Sequence, residues 1–288
     1  MKHPFLLFIC GILLSSCHYR LSKLDYYPID SEIVLEDNFR TMTEHDEFMG
    51  DKNWPYVLEI NTSDGALHYY GSYHVNDPEN FQIEDIKHRW LNFNPTVAVT
   101  ENRLGIVFGS EDSDIENYSE FALAYILGNR DNIPVYTLEP TWDDEVREMK
   151  SQFPIEEITL FYTMRVFLNE RRPEMTNSEI EDLAEQLLSK RGSRSGLEGS
   201  LNSLQELDNL WQKNFSDLGD WRTIKKFACD PSTNPTRLSA MGNFVNEVRD
   251  RHAVKVILDL MKKGNRVFAF AGGSHVVKQE PVLKAALN

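Results

Sequence analysis

Arg266-Val-Phe-Ala-Phe-Ala-Gly-Gly-Ser-His275 is the stretch that decides how this chain is built. An unbroken apolar run from Val267 to Ala271 meets two glycines, and one histidine stands three residues beyond Gly272. A short apolar run without alternation suits a strand buried on both faces, as in a parallel sheet covered by helices. Ligands of such sheets gather at the carboxyl ends of the strands, where His275 falls. The phrase occurs a second time. Leu67-His-Tyr-Tyr-Gly-Ser-Tyr-His74 also runs a strand into Gly-x-x-His, 275 − 74 = 201 positions earlier, so two distant strand ends are expected to meet at one site.

Upstream of Arg266, Asn243 to Lys263 reads as a long helix. Phe244, Val248, Val254, Ile257 and Leu258 fit one face, and Lys262, Lys263 and Gly264 supply a basic last turn and a stop. Downstream, Glu280 to Leu287 reads as a final helix. Around His74, Tyr56 to Ile60 and Leu67 to Tyr73 read as a hairpin joined by Asn61-Thr-Ser-Asp-Gly65. Pro78 suits a first helical turn, and Phe81, Ile83, Ile86, Trp90 and Leu91 make a helical stripe. The run Thr96 to Thr100 is a strand delivering Glu101. A helix over Tyr118 to Leu127 and a strand over Ile133 to Leu138, delivering Glu139, repeat the pattern. Such alternation predicts an α/β fold, a largely parallel central sheet flanked by helices. Residues 141 to about 240 break it: Asp143 to Gln152, Glu156 to Asn169 and Ser178 to Lys190 are amphipathic segments with no strong strand between them. They read as a helical insertion or cap.

The 288 residues, 41% apolar, suffice for one large domain with such an insertion. With 30 Lys and Arg against 45 Asp and Glu the formal charge is −15, which disfavours nucleic acid as a partner of the surface as a whole. The chain opens like an export signal, with Lys2 and His3, an apolar stretch from Phe5 to Leu14, then Ser15 and Ser16. That stretch is shorter than the about 20 residues a membrane-crossing helix needs. Leu14-Ser-Ser-Cys17 resembles a bacterial lipoprotein box. On this reading residues 1 to 16 are a signal peptide and Cys17 carries a lipid that anchors the chain to the membrane of the cell envelope. His18 stands where an aspartate would mark inner-membrane retention, which favours the outer membrane. Cys229 is then the one thiol left in the mature chain, and no disulfide framework can form. Residues 17 to 50 are polar and without sustained periodicity, as expected of a tether, and 51 to 288 form a single α/β domain.

Three inferred strands thus end in a residue able to bind metal or move a proton, His74, Glu101 and Glu139, and the last strand adds His275. Two imidazoles and a carboxylate are a common ligand set for a divalent transition metal that keeps positions open for water or substrate. His74, His275 and Glu101 are therefore the candidate ligands, and Gly71 and Gly272 would leave room for close approach. A carboxylate outside the set, Glu139 or Glu111, is the candidate general base. Arg249 would hold a substrate carboxylate or an oxyanion. Plainer readings stand beside these: a histidine after a strand is often a turn residue, a strand-end glutamate a solvated charge, and Arg249 has Glu247 and Asp250 as helix neighbours. The doubled Gly-x-x-His setting distinguishes its histidines from His45, His68, His88 and His252. The sequence has no nucleophile elbow, Walker, Gly-x-Gly-x-x-Gly or His-Glu-x-x-His pattern, and no histidine motif accompanies Cys229.

Gly71-Ser-Tyr-His74, the strand ending at Glu101, Val248-Arg-Asp-Arg-His-Ala253 and Gly272-Gly-Ser-His275 together resemble the TraB, TIKI and GumN superfamily. That group is related to ChaN-like haem-associated lipoproteins and erythromycin-esterase-like enzymes. The similarity covers roughly residues 54 to 139 and 243 to 287. It implies a site made of His74, His275, Glu101, Glu139 and Arg249. By analogy with TIKI members it also implies a metal-dependent hydrolase acting on a peptide or small-molecule substrate. The ChaN-like relatives imply the alternative, a non-catalytic carrier of haem or metal, with one histidine as axial ligand beside Tyr69, Tyr70 and Tyr73. A metal-free esterase with histidine as base is a third reading. The sequence departs from the family pattern twice. Thr100-Glu101-Asn-Arg stands where relatives more often show an apolar residue and a Glu-Leu pair, and Asp250-Arg-His where Asp-x-x-Met-Ala is common. Neither departure removes a candidate ligand.

Overall fold

In the computed structural model, which describes residues 26–30, 32–50, 52, 54–101, 110–229 and 236–287, the two Gly-x-x-His phrases leave neighbouring parallel strands. The export signal and Cys17 lie outside the described residues. In chain order the elements are α1 (Met42–Met49), β1 (Tyr56–Asn61), β2 (Ala66–Ser72), α2 (Phe81–Phe93), β3 (Val97–Thr100), α3 (Glu111–Tyr118), α4 (Ala122–Arg130) and β4 (Val135–Thr137). Then follow α5 (Trp142–Lys150), α6 (Ile155–Glu170), α7 (Asn177–Gly192), α8 (Leu204–Asn214), α9 (Arg237–Lys262), β5 (Arg266–Gly272) and α10 (Gly273–Leu287).

The sheet order is β1-β2-β5-β3-β4. β2, β5, β3 and β4 run parallel, and β1 is antiparallel to β2. The chain steps outward from β2 to β3 and β4, then returns to place β5 between β2 and β3. Strand order reverses there, which is where open α/β sheets bind ligands. The apolar run of β5 has no alternation because both its faces are covered. Phe268 and Phe270, 0% and 1% exposed, pack with Ile83, Ile86 and Trp90 of α2 and Leu123 of α4. Val267 and Ala269 point the other way, against Val254, Ile257 and Leu258 of α9 and Val276 of α10. Each large side chain buried this way stabilises the sheet by roughly 1.5–3 kcal/mol before entropy is counted.

Helices α5 to α8 and the first turns of α9 enclose a separate core built on Phe161, Phe167, Trp211, Trp221, Met241 and Val245. α6 is apolar nearly all round, and ten of its residues are buried, as befits a helix at the centre of that core.

Three expectations need correction. Over its described part, the stretch read as a tether is folded onto the domain. Tyr26 bridges to Thr137, Tyr27 donates to Asp259 at 2.7 Å, and Ile33 is 8% exposed among residues of α9 and β5. Its apolar residues are too sparse to show a period, so sequence patterning missed them. Second, the last helix begins at Gly273, not Glu280, and runs through Pro281. A proline removes the donor that would have satisfied the carbonyl four residues back. Nη1 of Arg40 takes that place, donating to the Val277 carbonyl at 2.5 Å and pairing with Glu280 at 2.7 Å. Third, the helix expected over 118 to 127 runs from Ala122 to Arg130 as α4, and α3 before it, which the sequence pattern did not mark, ends at Ser119, whose φ is +62°.

Candidate functional site

The four parallel strands deliver His74, His275, Glu101 and Glu139 in that order along one edge of the sheet. Parallel pairing sets the level: Ser72 lies opposite Gly272, and Thr100 opposite both Phe270 and Thr137. Glu101 is turned inward, its Oε2 accepting from the Gly272 amide at 2.6 Å and its Oε1 lying 3.5 Å from Nε2 of His275. A Cβ on Gly272 would sit 3.4 Å from both Oε2 of Glu101 and Nε2 of His74. That glycine is thus the floor on which the two side chains converge. Gly71 has another role. A Cβ there would come within 2.9 Å of the Gly273 Cα and the Tyr56 carbonyl, so its missing side chain lets α10 pack on the hairpin.

Each imidazole is buttressed at Nδ1 by a buried carboxylate. Nδ1 of His275 is 2.6 Å from Oδ1 of Asp250 on α9, and Nδ1 of His74 is 3.2 Å from Oε1 of Glu120. Asp250 also accepts from Gln279 at 2.7 Å, and Gln279 accepts from the Tyr69 hydroxyl at 2.9 Å. Glu120 is fully buried. It accepts from the Ser72 hydroxyl and, at 2.9 Å, from the Val75 amide, while its own amide donates to the Val75 carbonyl at 3.1 Å. The break between α3 and α4 makes this clamp possible, since a continuous helix would hold the Glu120 amide in its own ladder.

The electrostatics follow from these pairs. Burial opposes protonation of His275, but Asp250 and Glu101 outweigh it and raise its pKa to about 9. The hydrogen bond to Glu120 raises that of His74 against its own burial. For Asp250 and Glu120 burial favours the acid form; the contacts with His275 and His74, with further hydrogen bonds, win and hold both below the usual carboxylate range. Burial, then the nearby Asp250 and Glu101, keeps Tyr69 a neutral phenol.

Arg249 and Glu139 are also brought to this edge, paired at 3.2 Å. Arg249 donates to fully buried Glu145 at 2.8 Å, and Glu145 accepts from Tyr162 at 2.7 Å. Tyr69, Glu101, Glu139, Arg249, Asp250 and His275 line one small recess. Glu111, expected as a base, is not there. It opens α3 and pairs with Lys87 at 2.5 Å.

Sequence reasoning missed Glu120, Glu145 and the role of Asp250. Glu120 sat inside a predicted helix with no motif around it. Asp250 adjoins Arg249, and successive helix positions point about 100° apart, so the two serve different partners.

The arrangement defines a class: an α/β protein with two carboxylate-oriented imidazoles and a glutamate held by a backbone amide at the strand ends of a mostly parallel sheet. No family model, no curated protein and no solved structure matches the chain. As the side chains stand, no group of three or more His, Cys, Asp or Glu among the described residues forms a set that could hold a metal ion. The donor chemistry nevertheless fits one. Both Nδ1 atoms are engaged, leaving both Nε2 atoms toward Glu101, and the 3.5 Å from His275 to Glu101 is close to the about 3.4 Å between two tetrahedral ligands of zinc. His74, its side chain 57% exposed, is the member with room to adjust.

Proposed function

We propose that this chain is a divalent-metal-dependent hydrolase of the TIKI and TraB kind, held at the bacterial outer membrane by a lipid on Cys17 and acting on peptides or related small molecules. The observation that carries this reading is the convergence of His74 and Glu101 over Gly272, with Nε2 of His275 3.5 Å from Glu101, while buried carboxylates occupy both Nδ1 atoms. The short motifs that resemble the superfamily extend it to peptides.

A transition metal held by His74, His275 and Glu101 would supply Lewis acidity at a scissile carbonyl and lower the pKa of water. Asp250 and Glu120 fix the Nδ1–H tautomer and so present the Nε2 lone pairs. Arg249, held by Glu145 and Glu139, would hold a substrate carboxylate or a developing oxyanion. With Glu111 distant, Glu139 remains the candidate proton acceptor. The exposed side of His74 is the side from which substrate would enter.

Elemental analysis and absorbance spectra of the full chain, with His74→Ala and His275→Ala beside it, test the reading. Stoichiometric divalent metal, lost in both variants, is expected. A Soret band sensitive to one histidine would favour the haem carrier instead, and neither metal nor haem would overturn both.

A further inference from the structure

We infer that the helical cap carries an anion site, formed by Arg165 on α6 and Arg191 on α7, which receives a carboxylate or phosphate group of the substrate. The word substrate here rests on the hydrolase reading; the anion site does not.

The argument starts from partners. Half-buried arginines elsewhere in the chain are matched: Arg40 by Glu280, Arg89 by Asp85, Arg222 by Glu181 and Asp208, Arg249 by Glu139 and Glu145. Arg171 donates to two backbone carbonyls. Arg165 and Arg191 are half-buried as well, yet among the described residues neither guanidinium forms an ion pair or donates a hydrogen bond. Nε of Arg191 is a buried donor without an acceptor. Removing a guanidinium from water without a counter-charge is costly, and proteins rarely leave the cost uncompensated. Burial lowers the pKa of both groups, and the repulsion of Arg249 on Arg165 and of Arg194 on Arg191 adds to it. The acidic neighbours, Glu145 for Arg165 and Glu170 for Arg191, act on them only at a distance, and Glu145 already serves Arg249 and Tyr162.

Position connects this pair to the catalytic edge. Tyr162 lies within electrostatic reach of both arginines, and its hydroxyl bonds Glu145, which holds Arg249 in the recess of His275. The Tyr162 ring packs 4.8 Å from that of Trp142, over which Arg194 lies at 3.6 Å. Trp142 is three residues beyond Glu139. Guanidinium groups match the geometry of carboxylate and phosphate oxygens, so an anionic group bound here would fix a substrate whose scissile bond reaches the sheet edge.

Calorimetric titration of the full chain, stripped of metal by a chelator and held at fixed ionic strength, with inorganic phosphate and separately with acetate tests the inference. The unaltered chain should bind at least one anion, the tighter of the two naming the group. Arg165→Met and Arg191→Met should each weaken that binding at least tenfold while melting no lower than the unaltered chain in anion-free buffer. His275→Ala should leave it within about twofold. Absence of binding to both anions, retention of affinity in either arginine variant, or a lowered anion-free melting temperature in both would overturn the site. Anion binding that persists when the metal test fails removes hydrolysis and leaves this site. Loss of anion binding alone, with metal retained, removes only the anion site.

Discussion

Nδ1 of His275 lies 2.6 Å from Oδ1 of Asp250, a carboxylate 2% exposed in the middle of α9. The ring comes from the first turn of α10 and the carboxylate from the helix before β5, so packing of regular elements, not a loop, sets the orientation of the imidazole. Asp250→Asn keeps the shape and removes the charge that selects the tautomer. Metal affinity should fall by about 10–100-fold with the far-ultraviolet circular dichroism spectrum unchanged. Unchanged affinity would show that Asp250 does not orient the ring.

The same pair makes the metal-free protein sensitive to alkali. His275 titrates near 9 when folded, against 6.5 for an unperturbed ring. A folded pKa above the unfolded one stabilises fully below 6.5, and the contribution drains away as pH rises through 9, on the order of 3 kcal/mol. His74 shifts in the same direction, so its contribution is likewise lost as pH rises. Urea denaturation with chelator at about pH 6 and about pH 9.5 should show this fall, and Asp250→Asn should flatten it. A level profile in the unaltered chain would contradict the pairing.

The sheet was legible because its signals are local. Val267 to Ala271 declares a strand covered on both faces, and the two Gly-x-x-His phrases mark which strand ends meet. The buttresses were hidden because burial of a carboxylate depends on what folds over it. Nothing near Glu120 in sequence announces that Ser119 will break the helix and swing that carboxylate under His74. Arg40 was invisible for a similar reason, since it answers a vacancy created by Pro281, 241 positions away (281 − 40). Glu111 misled because its residue type alone does not show that it opens α3 and pairs with Lys87.

Gly71 and Gly272 occupy equivalent places in the two phrases and should respond oppositely to alanine. At Gly272 a methyl meets side-chain atoms at 3.4 Å, which is tolerable contact, but it fills the space shared by His74 and Glu101. Gly272→Ala should change stability by less than about 1 kcal/mol and lower metal affinity or turnover at least tenfold. At Gly71 the methyl strikes backbone at 2.9 Å, so Gly71→Ala should cost about 1–3 kcal/mol through displacement of α10. Thermal melts together with metal titration separate the two, and a common effect would undo the distinction.

Glu111→Gln removes one partner of a surface pair whose side chains are 25% and 37% exposed. Pairs of this kind contribute roughly 0–1 kcal/mol. Turnover and metal content should stay within twofold of the unaltered chain, and a tenfold loss of either would restore Glu111 to the site.

Arg249 differs from Lys87 in what it leaves behind. Its guanidinium lies between Glu139, 5% exposed, and Glu145, fully buried, at 3.2 and 2.8 Å. Arg249→Met withdraws the cation from two carboxylates that cannot reach bulk water, a situation that costs about 3–5 kcal/mol when one member of a buried pair is deleted. If the loss comes from those stranded charges rather than from packing, Glu145→Gln in the same chain should return a good part of it, because an amide of the same shape can keep the Tyr162 contact at 2.7 Å without the charge. Denaturation of both single variants and the double variant closes the cycle. Strictly additive losses would mean that Arg249 holds the recess by shape, and its place beside Glu139 would then say little about substrate charge.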